Sequence, residues 1–254
     1  IPQVDVARLI KDDVLAEAKN TDYGYYYILD QKDVILYPGG ANEEYYTVII
    51  RITNEKGVDQ YKESTLGYNN NQNILVEKAE VIKKNQSKIE GERNGSQVVF
   101  TNLEAGDILV FKYRLQRFAY GRFANEYWDK YYFGSQIYAS TTRYNLLVPA
   151  GQPVSYVFSN AKVTPVIKDV ENFKWYSWEM NKITPLKNEP LMPVYADISE
   201  VLHVSTIPSW NDIASWYSDV CNNKAEEDFE IIALYKKLFP DPEKKMTQYQ
   251  KARV

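Results

Sequence analysis

The chain has 254 residues, of which 44% are hydrophobic and 25% are charged, and its formal net charge is −4. This is the composition of a globular protein, and it excludes a disordered chain and a nucleic-acid binder that relies on overall positive charge. One cysteine and one histidine exclude an internal disulfide and a zinc site built from four Cys and His ligands. No apolar run approaches the roughly 18 residues of a membrane-spanning helix.

Residues 1–24 form a lead-in segment in which the pattern predicts one short helix. Asp5 suits the N-cap position, because a short acidic side chain can accept a hydrogen bond from a free amide of the first turn. The apolar residues that recur at helical spacing are Val6, Leu9, Ile10, Val14 and Ala18.

Residues 25–207 are predicted to form an antiparallel β-sandwich. In the runs 46–53 and 109–116, the side chains alternate in sets of every second residue, as expected for a half-buried strand. Asn94-Gly95 predicts a hairpin. Asn54 to Gly57 is interpreted as a turn. About nine strands at spacings of roughly 8–12 residues favour a sandwich, with barrel closure as the alternative. The other predicted strands are 74–84, 97–100, 127–133, 142–148, 154–158, 163–167 and 173–178.

A proline-rich linker, residues 183–207, is expected to run extended across the sandwich, with one last strand near 201–206. From residue 208 to 254 the period becomes helical, starting at the capping box of Ser209 and Asp212. A second helix follows, and Thr247 with Gln250 predicts the start of a third. We therefore expect that the chain was cut from a longer protein within an α-rich segment.

The residues nominate no catalytic centre, no metal site and no cofactor. Cys221 and His203 could serve as a cysteine nucleophile and its base, but both positions fit structural roles better, Cys221 at the edge of a helix and His203 inside a strand. The 34 acidic residues show no spacing that singles out a glycosidase pair. Phosphate-binding loops, nucleophile elbows, zinc-protease helices and calcium loops are all missing from the sequence.

Dense aromatic residues give the only lead for ligand binding. Because neighbouring residues of a strand point to opposite faces, some of these rings must face outwards, where they can stack on a sugar or grip a peptide. The speculative ligand contacts are Tyr127, Trp128, Tyr131 and Tyr132. The alternative interpretation is that aromatic residues simply favour strands and pack across them.

Several segments taken together resemble a bacterial family of unknown function that forms a β-sandwich directly before a transglutaminase-like domain. They run in order from Asp33-Val34-Ile35-Leu36 to Ser205-Thr206-Ile207-Pro208-Ser209-Trp210. The segments between are 98–107, Trp128-Asp129-Lys130, 143–149 and 188–193.

The resemblance implies a bacterial protein that is exported to the periplasm or another extracytoplasmic space. It also implies that residues 208–254 are the first helices of a transglutaminase-like domain, which would be the partner of the sandwich within the same chain. The family's nucleophile lies in a Gly-Asp-Cys motif, which this sequence lacks. We therefore expect a non-catalytic accessory domain that positions or recognises substrate for the downstream domain, with a glycan- or peptide-binding module as the alternative.

Overall fold

The computed structural model describes residues 3–13, 23–117, 121–222, 228–239 and 247–251. Fourteen strands and six helices lie in these ranges. The strands are β1 Tyr25–Leu36, β2 Asn42–Ile52, β3 Glu63–Thr65, β4 Gln72–Ile82, β5 Lys88–Glu90, β6 Glu92–Asn94, β7 Gln97–Val99, β8 Ile108–Arg117, β9 Trp128–Tyr132, β10 Ala139–Pro149, β11 Ser155–Ser159, β12 Val166–Val170, β13 Phe173–Ile183 and β14 Val201–Ser205. The helices are α1 Val6–Asp12, α2 Glu55–Tyr61, α3 Tyr195–Ile198, α4 Trp210–Asn222, α5 Phe229–Leu238 and α6 Gln248–Lys251.

Eight of these strands form one large sheet, in the order β12-β13-β10-β1-β2-β8-β4-β5. Neighbours are antiparallel except β1 and β10, which run parallel, with Tyr27 opposite Ala139 and Ile35 opposite Leu147. Strands β2 to β9 lie between them in the chain, and only such a long connection allows a parallel pair. The sheet ends at β12 and β5, so it stays open and is not closed into a barrel.

One face of the large sheet, the inner face, is covered by two small sheets of three strands each. The sheet β11-β14-β9 packs over β1, β10 and β13, where Tyr144 and Trp178 meet Phe133 and Leu202. Each of these four side chains is at most 1% exposed. Burial of a side chain of this size contributes about 1.5–3 kcal/mol, so this contact is a main source of stability.

The second small sheet, β3-β7-β6, covers the other half of the inner face. Val98 of β7 and Phe100 directly after it pack against Ile50, Leu109 and Phe111 of the large sheet. The sequence-based prediction of a mainly β fold is thus confirmed, in the form of an open eight-stranded sheet faced by two smaller sheets. The one parallel pair departs from the all-antiparallel sandwich that we predicted.

Helix α1 covers one end of the opposite, outer face of the large sheet. Val6 and Leu9 of α1 pack on Leu29, Ile49 and Val110. The backbone amide of Arg8 donates to the side chain of Asp5 at 3.0 Å, so Asp5 caps α1 as the sequence predicts. Val14 and Ala18, which the predicted helix also included, lie outside the described residues.

One local difference from the predicted elements is at Asn54, where a helix replaces the expected turn. The Asn54 side chain accepts a hydrogen bond from the amide of Lys56 at 2.9 Å and caps α2. Asparagine satisfies free amides in turns and at helix starts alike, so its presence does not distinguish the two. The linker 183–207 is not extended throughout either, because it contains α3 as well as β14.

Chain contacts divide the protein into two units, residues 1–207 and 208–254. In the second unit, the Ser209 hydroxyl donates to the Asp212 carboxylate at 2.7 Å. Ser209 directly precedes α4, and Asp212 lies in its first turn. Thr247 and Gln250 form a reciprocal capping box at α6, with amide-to-side-chain distances of 2.9 and 3.2 Å. Among the described residues, no helix is long and apolar enough to cross a membrane.

Candidate functional site

The candidate site is a row of polar side chains on the outer face of the large sheet. Because alternate residues of a strand share a face, positions 31 and 33 of β1, 143 and 145 of β10, and 177 and 179 of β13 all project there. Strand register places Asp33 opposite Asn145 and Asn145 opposite Ser177. Gln31 lies opposite Arg143, and Arg143 opposite Glu179.

Asp33 is the most enclosed acid of this row, with a residue exposure of 6%. Gln31 Nε2 donates to both of its carboxylate oxygens at 2.9 and 2.8 Å, and Asn145 Nδ2 donates to one of them at 2.6 Å. Burial raises the pKa of Asp33 above its usual value, although the hydrogen bonds from Asn145 and Gln31 oppose this effect. The three hydrogen bonds from Gln31 and Asn145 fix the Asp33 carboxylate in one orientation.

Arg143 connects this acid to a second one across the sheet. Its Nη1 donates to Gln31 Oε1 at 2.8 Å, and its Nε donates to Glu179 Oε2 at 2.8 Å. Burial tends to raise the pKa of Glu179, but hydrogen bonds from Asn181 and Arg143 outweigh it and lower that pKa. Arg143 and Glu179 pair with each other, and the Asp33 carboxylate is held by two amide side chains, which suits a rigid binding surface better than a nucleophile or a general base.

Two concave regions flank Asp33 on this face. A groove of 350 Å³ lies on the β2 side and is lined by Asp33, Ile35, Tyr45 and Lys112, among others. A cleft of 510 Å³ lies on the β12 side, and we call it the β12 cleft. Its lining residues are Gln31, Arg143, Asn145, Thr164, Val166, Lys168, Trp175, Ser177 and Glu179.

The inner face holds a buried charge cluster that the sequence analysis did not identify. Lys32 Nζ lies 2.7 Å from Asp129 Oδ2 and 3.1 Å from Glu44 Oε2. The hydroxyls of Tyr127 and Tyr144 donate to the same oxygen of Asp129, at 3.0 Å each. These groups lie beneath a small sheet and satisfy one another, so we assign the cluster a structural role.

The four aromatic residues predicted as ligand contacts do not share one surface. Tyr127 is 2% exposed and Tyr131 packs against the core under β9, so neither ring is available to an external ligand. Trp128 and Tyr132, which are 47% and 38% exposed, project from the opposite side of β9. Period-2 alternation explains the division, since 128 and 132 lie on one face of the strand and 131 on the other.

Cys221 and His203 belong to different units of the chain. Cys221 is an exposed free thiol on α4 in the second unit, whereas His203 is an exposed residue of β14 in the first. Across the described ranges, the structure gathers no three His, Cys, Asp or Glu side chains in a metal-binding arrangement.

The sequence also belongs to a recognisable family. Two segments, residues 38–98 and 92–187, match the model of DUF3857, a domain of unknown function with a solved structure. Together these segments cover more than half of the chain. The chain belongs to this family. The family match agrees with the resemblance found in the sequence and adds no activity to it. No curated protein matches the chain in sequence.

Among solved structures, the chain is similar to a “putative protease” from Parabacteroides distasonis ATCC 8503, with a TM-score of 0.74 and 16% identity. The match covers 91% of this chain and 48% of that one, so this chain spans about half of its length. At such low identity the likeness establishes the fold alone.

A second match is the M1 zinc metallopeptidase from Deinococcus radiodurans, with 12% identity and a TM-score of 0.38. It covers 71% of this chain and 42% of that one. Superposition at this level supports no argument about this chain.

Proposed function

We propose that this chain is a non-catalytic accessory domain of a larger transglutaminase-like protein, with cysteine-protease or amide-transfer chemistry in the domain that follows. In this proposal the β-rich unit positions or recognises substrate, and α4 and α5 belong to the downstream domain. The DUF3857 match and the fold shared with a “putative protease” of about twice the length support this context.

The observation that carries the proposal is the exposure of the apolar faces of α4 and α5. Neither helix has a buried residue. Trp210 is 82% exposed and Phe229 is 84% exposed. Amphipathic helices normally bury such faces, and exposed apolar patches mark contacts with another surface. The rest of the downstream domain, to which α4 and α5 belong, is the partner that we propose for these faces.

The proposal assigns no catalytic residue to this chain. Cys221 does not lie in a Gly-Asp-Cys motif. It is exposed on α4 of the second unit, whereas His203 belongs to β14 of the first unit. The proposed compartment is the periplasm or another extracytoplasmic space, and a secretion signal in the complete gene product would support it.

Hydrogen exchange of the 254-residue chain and of the complete gene product tests the proposal. We expect the amides of α4 and α5 to exchange at least about tenfold more slowly in the complete product, because burial of their apolar faces suppresses local opening. The amides of β1 and β10 serve as the control, since the core strands should exchange alike in both. Equal exchange of α4 and α5 in the two proteins would contradict the proposal.

A second candidate function is a glycan- or peptide-binding module that uses the exposed side of β9. Trp128 and Tyr132 project there together, each beside a cation: Arg117 lies 5.3 Å from the Trp128 ring and Lys130 lies 5.0 Å from the Tyr132 ring. A glycan array and a peptide array, run with the native chain and with Trp128→Ala, test this function. Binding that disappears in the variant supports it, and no binding by the native chain rejects it.

A further inference from the structure

The β12 cleft contains a buried acceptor with no partner in the described chain. Asn145 is 2% exposed, and its Oδ1 has no hydrogen-bond partner. Its orientation is fixed, because Nδ2 must face the Asp33 carboxylate, to which it donates at 2.6 Å. The carbonyl oxygen is therefore directed away from Asp33, and Asn145 lines the cleft.

A buried donor without a partner lines the same cleft. The indole nitrogen of Trp175 is buried and makes no hydrogen bond to the described residues. Ser177 lies opposite Asn145, and Trp175 is two positions before Ser177 on the same face of β13. Diagonal neighbours of this kind lie about 7–8 Å apart along the sheet, within the reach of one small ligand.

Unpaired buried polar groups are costly, and two of them in one cleft indicate a ligand that satisfies both. We propose that the β12 cleft binds an amide of a peptide, whose C=O accepts from Trp175 Nε1 and whose N–H donates to Asn145 Oδ1. The amide belongs either to the peptide backbone or to a Gln or Asn side chain. This inference depends on the cleft alone and not on the function proposed above.

The other groups of the cleft favour an uncharged amide over a charged ligand. Arg143 and Glu179 pair with each other, so neither offers a free charge. The Lys168 ammonium lies 5.4 Å from the centre of the Trp175 ring, so its charge is engaged by a cation–π contact. Thr164 and Val166 complete one wall next to the sheet edge, and neither carries a charge.

Nuclear magnetic resonance of the indole N–H groups tests the proposal, with the resonance of Trp175 assigned from Trp175→Phe. The probes are acetyl-Ala-Ala-Ala-N-methylamide, acetyl-Ala-Gln-Ala-N-methylamide and maltotriose, each titrated into the 254-residue chain. We expect the Trp175 resonance to shift with at least one peptide. Similar shifts with both peptides identify the backbone amide, and a shift with the glutamine peptide alone identifies the side-chain carboxamide.

Trp175→Phe removes the donor and keeps an aromatic ring, so it should fold and bind the peptide about tenfold more weakly, as measured by the shifts of the backbone amides of β13. Trp178→Phe is the matched control, because Trp178 Nε1 is also unpartnered but lies in the core under the inner face. No shift of Trp175 with either peptide, or a shift with maltotriose alone, overturns the proposal. Equal weakening by the two variants would overturn it as well.

Discussion

Lys32 and Asp129, which are 97 positions apart in the chain, form an ion pair of 2.7 Å that joins the large sheet to a small one. Lys32 belongs to β1 and Asp129 to β9. Glu44 of β2 lies 3.1 Å from the same ammonium, so one cation is shared by two carboxylates from different strands. The three side chains are 7%, 18% and 9% exposed, which leaves little water to screen their charges.

We predict that Lys32→Met destabilises the fold by about 3–5 kcal/mol, because two enclosed carboxylates then lose their cation. Urea unfolding followed by tryptophan fluorescence measures the change. Lys62→Met is the matched control, since Lys62 pairs with Asp59 at 2.8 Å but the two side chains are 55% and 73% exposed. That change should leave the unfolding free energy almost unchanged, because solvent screens an exposed pair. Equal losses in the two variants would show that burial of the Lys32 cluster has no energetic consequence.

The same cluster shows where prediction from the sequence ends. Alternation of apolar residues revealed β2 and β8, because one side of each strand is consistently apolar. β1 carries Asp30, Gln31, Lys32 and Asp33 in its middle, and no period of apolar residues marks this run as a buried strand. Lys32 is paired by Glu44 of β2 and Asp129 of β9, and Gln31 and Asp33 are hydrogen-bonded by β10, which no local pattern could reveal.

The candidate site was hidden for the same reason. Asp33 and Asn145 are 112 positions apart and meet through the parallel pairing of β1 with β10. Parallel partners are brought together by a long crossover, so their proximity leaves no spacing signal in the chain. The aromatic-rich stretch around Trp128 was visible from the sequence, but which rings face outwards depended on the placement of β9 over the core.

Two consecutive glycines after β1 are expected to tolerate alanine very differently. Gly39 and Gly40 have φ values of 92° and 89°, a backbone region that costs a residue with a side chain about 1–2 kcal/mol. A Cβ on Gly40 would lie 1.8 Å from the Ala124 carbonyl oxygen, whereas one on Gly39 meets nothing within 4 Å. Gly40→Ala should therefore cost about 1–3 kcal/mol more than Gly39→Ala.

Thermal or urea unfolding of the two glycine variants measures this difference. The common backbone strain cancels in the comparison, so the remainder reports the clash with the backbone at Ala124. Losses that agree within about 0.5 kcal/mol would mean that the loop around Ala124 moves away at little cost.

Exposed aromatic residues of the second unit should contribute little to the stability of the 254-residue chain. Trp210→Ser and Phe229→Ser are expected to change its unfolding free energy by no more than about 0.5 kcal/mol, because neither ring is buried. Phe111→Ala, in the core under β7, should cost about 3–5 kcal/mol. Unfolding of the isolated chain measures all three.

The Phe229→Ser substitution in the complete gene product tests whether α5 is packed there. If α4 and α5 pack against the rest of the downstream domain, Phe229→Ser should lower the unfolding free energy of the complete product by about 2 kcal/mol or more. A loss confined to the isolated chain, or equal small losses in both, would contradict a packed role for α5.

Asp30 gives the fold a dependence on pH. Burial raises the pKa of this carboxyl from 3.8 to about 6, and the neighbouring Tyr131 hydroxyl offsets this effect only in part. Because the folded protein holds this proton more tightly than the unfolded chain, the stability linked to Asp30 is fully present below about pH 4. This contribution to stability is lost as the pH rises through about 6, and above that pH it no longer changes.

We therefore predict that Asp30→Asn stabilises the protein by up to about 3 kcal/mol at pH 7 and by close to nothing at about pH 3. Urea unfolding of native protein and variant across this range measures the difference, in which the other titrating groups cancel. Asp59→Asn is the control, since that side chain is 73% exposed. A stabilisation that is constant with pH would show that the Asp30 carboxyl does not titrate differently in the folded and unfolded states.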